Sequence, residues 1–123
     1  MTIEACYRQL GGDLAQAEKH LSGRRLVERF VVRFLDDDSF ASLCSAMEEG
    51  SRGAAFRAAH TLKGVSGTLG FSRLYASASQ LTELLRPEAQ AIPADACALL
   101  ETVKQDYRIT ADAICAYRDS DHR

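Results

Sequence analysis

The sequence predicts an all-α protein, an antiparallel up-and-down four-helix bundle with additional short N-terminal helices. Three observations lead there. Apolar residues recur at i, i+3, i+4 and i+7 nearly throughout, with neither an alternating strand pattern nor an internal repeat. The segments that carry this period are joined by short connections, which make consecutive helices antiparallel neighbours. The 123 residues suffice for one core but leave no space for a second catalytic domain. With 46% hydrophobic and 26% charged residues and only two prolines, the composition is that of a folded globular chain rather than a disordered one. A single domain over residues 1–123 is expected, with an N-terminal extension over about 1–21 and a four-helix core over about 37–117.

Thr2 can cap a short helix that ends at Gly11-Gly12, and Asp13 can cap another turn or two through Leu21. From Ser22 onward Leu26, Val27, Phe30, Val31, Phe34 and Leu35 form an apolar stripe, while Arg24, Arg25, Arg29 and Arg33 occupy the solvated side. That helix should stop near Asp36. Asp36-Asp37-Asp38-Ser39 then offers N-cap oxygens and negative charge to a helix whose inward positions are Phe40, Leu43, Cys44 and Met47 and whose stop is Gly50. The acidic run lacks the spacing and closing glutamate of a calcium loop, so it is read as a cap.

Ser51 can cap a central helix that runs to about Gly70, where glycine permits a reversal. Ser72 begins the next helix, with Leu74, Tyr75, Ala78, Leu81 and Leu85 inward, and Pro87 to Pro93 is a loop. Pro93 or Asp95 starts a long final helix, with Ala96, Leu99, Leu100, Val103, Tyr107, Thr110, Ile114 and Tyr117 on its inner face. The tail from Arg118 is expected to fray, and His20 and His122 to be ordinary exposed residues.

The formal net charge of −2 gives no general attraction to nucleic acid or an acidic membrane, and neither partner is expected. Cys6, Cys44, Cys97 and Cys115 are widely spaced with no Cys-x-x-Cys pair, which supports neither a metal site nor a disulfide framework. Met1 is not followed by a basic stretch with a long apolar run, and no segment has 18 uncharged apolar residues. A cytoplasmic, monomeric protein with reduced thiols is the expectation.

Chemistry concentrates on the central helix, in Ala58-Ala59-His60-Thr61-Leu62-Lys63-Gly64-Val65-Ser66-Gly67-Thr68-Leu69-Gly70. At about 100° per residue with His60 at zero, Lys63, Gly64, Gly67 and Arg57 fall at roughly 300°, 40°, 340° and 60°. Ala58, Ala59, Leu62, Val65, Ser66 and Leu69 gather on the opposite side, at roughly 140–260°, as an apolar stripe. His60 therefore faces away from the core, and the glycines leave it approachable by another protein. Each glycine costs about 0.5–1 kcal/mol relative to alanine inside a helix, an expense that stability alone does not explain. A neutral imidazole has one ring nitrogen free as a nucleophile toward an activated phosphoryl group, and Lys63 can offset the charge that such a group brings. Arg52, Arg57, Arg73 and Arg86 make the region basic, with Glu83 the only acid between residues 51 and 86. Phe56, at roughly 320°, borders the same face.

These residues resemble the histidine-containing phosphotransfer (HPt) domain family. Its pattern, Ala-His before x-Leu-Lys-Gly with a further glycine six residues later, is matched by Ala59, His60, Leu62, Lys63, Gly64 and Gly70. Helix order and length extend the likeness more loosely from about Leu26 to Ile114. The resemblance implies a four-helix bundle that takes a phosphoryl group from a receiver-domain aspartate and passes it to another receiver. It implies that His60 is phosphorylated, that Lys63 stabilises the phosphate, and that Phe56, Arg57, Gly64 and Gly67 form the receiver docking face. Response-regulator receiver domains, a hybrid histidine kinase, or both would be the partners. No cofactor would be bound by this chain, and Mg²⁺ would sit on the receiver. Thr82 stands where some members carry a glutamine near the histidine.

Two other functions compete. A self-phosphorylating kinase fragment would need a nucleotide domain with a Gly-rich phosphate loop, and Thr61 follows His60 where the kinase dimerisation helix usually has an acidic residue. A non-catalytic helical adaptor would keep the docking face without transferring phosphate, and the pairing of His60 with Lys63 argues against it.

Overall fold

Short-range hydrogen bonds set the first helix boundaries of the computed structural model, which describes residues 1–86 and 91–120. The Thr2 hydroxyl oxygen accepts from the Ala5 amide at 3.0 Å and opens α1 (Ile3–Leu10). The Asp13 carboxylate accepts from the Gln16 amide at 3.1 Å and opens α2 (Leu14–Leu21). Next comes α3 (Arg24–Arg33), which tightens into a 3-10 turn over Phe34–Asp36. At α4 (Ser39–Glu49) the bonding acid is Asp37, whose carboxylate accepts from both the amide and the hydroxyl of Ser39. The remaining helices are α5 (Arg52–Thr68), α6 (Ser72–Leu85) and α7 (Asp95–Ser120), and no strand occurs among the described residues.

At the start of α5 the expected Ser51 cap is not made, since its side chain bonds no helix amide. Arg52 does different work from the surface charge read in the sequence. It is only 8% exposed and turns inward to the end of α6. Its Nε donates to the Leu85 carbonyl at 3.2 Å, one Nη to Leu84 at 3.0 Å, and the other Nη to Ala91. Carbonyls left over where α6 stops are thereby satisfied, and the guanidinium is in turn matched to acceptors. This contact also sets the start of α5 beside the end of α6, so the two helices run in opposite directions.

Helices α4, α5, α6 and α7 pack in sequence, α4 on α5, α5 on α6 and α6 on α7, while α1 lies on α7 and α2 contacts α3 and α5. The N-terminal residues thus join the same core. Ile3, Cys6, Tyr7 and Leu10 are buried together with Val31, Leu43, Leu62, Leu74, Leu81, Val103 and Ile114. An aromatic series crosses this core: Tyr7 meets Phe71 at 5.9 Å, Phe71 meets Phe34 edge-on at 5.1 Å, Phe34 meets Tyr107 at 5.8 Å, and Tyr107 stacks on Phe40 at 4.0 Å.

Two inward assignments and one terminus change. Tyr75 is 41% exposed and Leu26 36%. On α6 the buried positions Leu74, Ser77, Ala78, Leu81, Thr82 and Leu85 already complete one helical face, and Tyr75 falls beside it. On the shorter α3 only Val27 and Val31 are fully inside. Leu99 is half-buried on the core's margin. The tail does not fray at Arg118, because α7 continues to Ser120, whose hydroxyl oxygen accepts from the Met1 amino group at 2.9 Å. Of the expected loop, residues 87–90 lie outside those described, as does His122. Among the described residues no helix is long and apolar enough to cross a membrane.

Burial pushes the Cys6 thiol up to about 11 and raises the Tyr7 phenol as well. Both groups stay protonated in the fold but ionise more readily once unfolded, so stability should fall as pH rises from about 9 through about 11. Thermal melts followed by circular dichroism across that range should show a declining Tm, with a smaller decline in Cys6→Ala. The Tyr7 hydroxyl donates to the Leu69 carbonyl at 2.7 Å inside the core. Tyr7→Phe should therefore lower the unfolding free energy at pH 7 by about 1–2 kcal/mol in urea titrations, and an unchanged midpoint would count against this bond.

Candidate functional site

Small residues on α5 let its neighbours approach closely and leave one side of the helix for solvent. Ala55, Ala58, Ala59, Leu62, Ser66 and Leu69 are buried, while Arg57, His60 and Gly64 are exposed. Phe56, Lys63 and Gly67 are half-buried along the borders of the exposed side. The angular order read from the sequence is the order found. His60 lies on the rim of two open grooves. One, of about 470 Å³, is lined by Gln16, His20, Lys63, Ser72 and Tyr75. The other, of about 580 Å³, has an apolar wall of Leu21, Phe30, Phe34, Val65 and Leu69.

The two glycines differ in setting. A Cβ added at Gly64 would meet nothing within 4 Å, so its absence leaves open surface beside the imidazole. A Cβ at Gly67 would lie 3.1 Å from the Tyr75 ring. Gly67 therefore gives room to an aromatic side chain of this chain as well as lying on the histidine's side. This explains where Tyr75 goes once it is outside the core.

Residues from α6 complete the surroundings of His60. Its ring contacts Phe56 at 5.9 Å between centroids and 37° between planes. The Arg86 guanidinium lies over the same phenyl ring, 5.3 Å from the Phe56 centroid. Arg86 also grips Glu83 through two bonds, Nη2 to Oε2 at 2.9 Å and Nε to Oε1 at 3.2 Å. These bonds hold the Glu83 carboxyl below its usual range, and the nearby charges of Arg86, Lys63 and His60 lower it further. Phe56, His60, Lys63, Glu83 and Arg86 thus form one cluster across α5 and α6.

Thr82 takes no part in it. The residue is buried, and its hydroxyl donates to the Ala78 carbonyl at 2.7 Å within its own helix. Sequence inspection singled out His60, Lys63 and Phe56 but treated Glu83 and Arg86 only as part of a charge count. Their signal was the antiparallel register about the Leu69–Phe71 turn, which sets this stretch of α6 opposite Phe56 and His60. The basic region is also less available than its composition implied, because Arg52 is buried and Arg86 is paired. His20 lines the same groove as His60, with Nδ1 3.2 Å from the Thr68 carbonyl oxygen.

Chemically, the arrangement presents an exposed imidazole on a firmly packed helix, a cation one turn away and an unobstructed approach. Among the described residues no group of three or more His, Cys, Asp or Glu side chains could hold a metal ion. Comparison with known families finds that the Hpt domain model matches residues 3–108. No curated protein and no solved structure gives a significant match.

The glycine geometry has a measurable consequence. Gly64→Ala adds a methyl group in open space and should raise helix stability by about 0.5–1 kcal/mol, read as a higher urea midpoint. Gly67→Ala must displace the Tyr75 ring and should show a smaller gain or a loss; equal gains at both positions would contradict the Tyr75 contact.

Proposed function

Because this chain belongs to the Hpt domain family, it is a phosphotransfer domain of two-component signalling, and we propose that His60 is the residue that carries the phosphoryl group. The observation that supports this most is the exposed ring of His60 beside Lys63 and the bare surface of Gly64, on a helix whose other face is packed. Phosphoryl transfer between proteins asks for a nucleophile held in place and charge compensation around it. Both are available here.

In the proposed step a lone pair on a His60 ring nitrogen attacks the phosphorus of a receiver's aspartyl phosphate. A P–N bond forms as the P–O bond breaks, the electron pair returns to the aspartate carboxylate, and the second ring nitrogen keeps its proton. Onward transfer runs the same exchange to the aspartate of another receiver. Any Mg²⁺ used belongs to the receiver, not to this chain. The phosphoryl group brings roughly −1.5 to −2 charge, as on other phosphorylated side chains, and Lys63 is placed one turn away to offset it. Phe56, Arg57, Gly64 and Gly67 border the surface on which the receiver docks, and the apolar groove beside His60 offers area for that contact.

Incubation with phosphorylated receivers of the source organism should move label onto this chain as an acid-labile, base-stable adduct. His60→Gln should abolish the label while leaving the circular dichroism spectrum unchanged. Lys63→Ala should slow transfer by about tenfold, a loss of about 1.4 kcal/mol in barrier stabilisation. Label that persists in His60→Gln, or a wild-type chain that no receiver labels, would overturn the proposal and favour a docking adaptor.

A further inference from the structure

The Glu83–Arg86 pair lies beside the proposed phosphoryl acceptor, and its members are positioned to respond to that group. Arg86 lies over Phe56 at 5.3 Å, and Phe56 contacts the His60 ring at 5.9 Å, so the guanidinium and the imidazole share one aromatic neighbour. Its charge is engaged elsewhere, by the two bonds to Glu83 at 2.9 and 3.2 Å. The pair is exposed, with 52% of the arginine side chain and 60% of the glutamate side chain open to solvent. Pairs of this kind are weak and can be displaced by a stronger anion.

A phosphoryl group is such an anion, with more charge than a carboxylate and three acceptor oxygens suited to a guanidinium fork. We propose that Glu83 shortens the lifetime of phosphorylated His60 by competing with the phosphoryl group for Arg86. The proposal rests on His60 being the phosphoryl acceptor. Glu83 is here a positioning residue, acting through Arg86 rather than on the reacting atoms.

The direction follows from the charge distribution during P–N cleavage. Departure of a phosphoryl group is loose, and its outer oxygens lose negative charge as the bond to nitrogen lengthens. A guanidinium held on those oxygens favours the phosphorylated state over the departing one, which slows the loss. While Glu83 occupies Arg86, less of that stabilisation reaches the phosphoryl group. The electrostatic environment agrees, since the Arg86 hydrogen bonds are the largest cause that holds the Glu83 carboxyl below its usual range.

The test uses the full chain phosphorylated chemically with phosphoramidate, with decay of phospho-His60 followed by ³¹P NMR at pH 7.5. Glu83→Gln should lengthen the half-life by about three- to tenfold at low salt, the lengthening shrinking at high ionic strength. In an Arg86→Gln background the same change at Glu83 should alter the half-life by less than about twofold. An unchanged half-life in Glu83→Gln, or an equal lengthening in the Arg86→Gln background, overturns this proposal alone. A wild-type chain that takes no phosphoryl group at His60 overturns both this proposal and the function on which it rests.

Discussion

The structure depends on how the turn between α5 and α6 is held. Gly70 sits there with φ of 69°, and its carbonyl accepts from the Asp13 amide at 2.7 Å. A Cβ at that position would come within 2.5 Å of the Asp13 carbonyl oxygen, so only glycine allows the link between α1 and α2 to approach so closely. The Gly11 carbonyl accepts from the Arg73 amide at 3.0 Å, and Tyr7 donates to Leu69 from the other side. Phe71 is fully buried between Tyr7 and Phe34. Residues close to the N-terminus thus hold a turn in the middle of the chain, and through it fix the register of α6 against α5. That register sets Glu83 and Arg86 beside His60.

The same dependence separates what could be read from the sequence from what could not. Helix ends governed by a few neighbouring residues, at Thr2, Asp13, Gly50 and Gly70, were legible because capping and reversal are local chemistry. The face that joins His60, Lys63 and Gly64 was legible for a similar reason: residues three and four apart on one helix share a side whatever surrounds it. Arg52 was misjudged because its partners at Leu84, Leu85 and Ala91 are remote in sequence and are carbonyls, which leave no trace in residue type. Tyr75 was misjudged because the width of a buried stripe depends on the neighbouring helix, and here the space beside Gly67 offered a different place. Glu83 and Arg86 were visible as charges, but their nearness to His60 is a property of two helices in register.

Composition along α5 reconciles two demands on one helix. On its inner side alanines allow close contact with α4 and α6, and the larger Leu62 and Leu69 fill the core. On its outer side the absence of side chains serves access to His60 and space for Tyr75. The inner side carries strong helix formers while Gly64 and Gly67 weaken the outer side, so α5 leans on tertiary packing and on contacts at its ends as well as on propensity.

Those end contacts have a mechanical consequence. The α5–α6 hairpin is fastened at the Gly70 turn at one extremity and by the buried Arg52 guanidinium at the other, which resists sliding of one helix along the other. A partner arriving at His60 meets a platform whose shape precedes the encounter. Little chain entropy is then surrendered on docking, and discrimination among partners falls to shape and charge at the rim rather than to a rearrangement that each partner must induce.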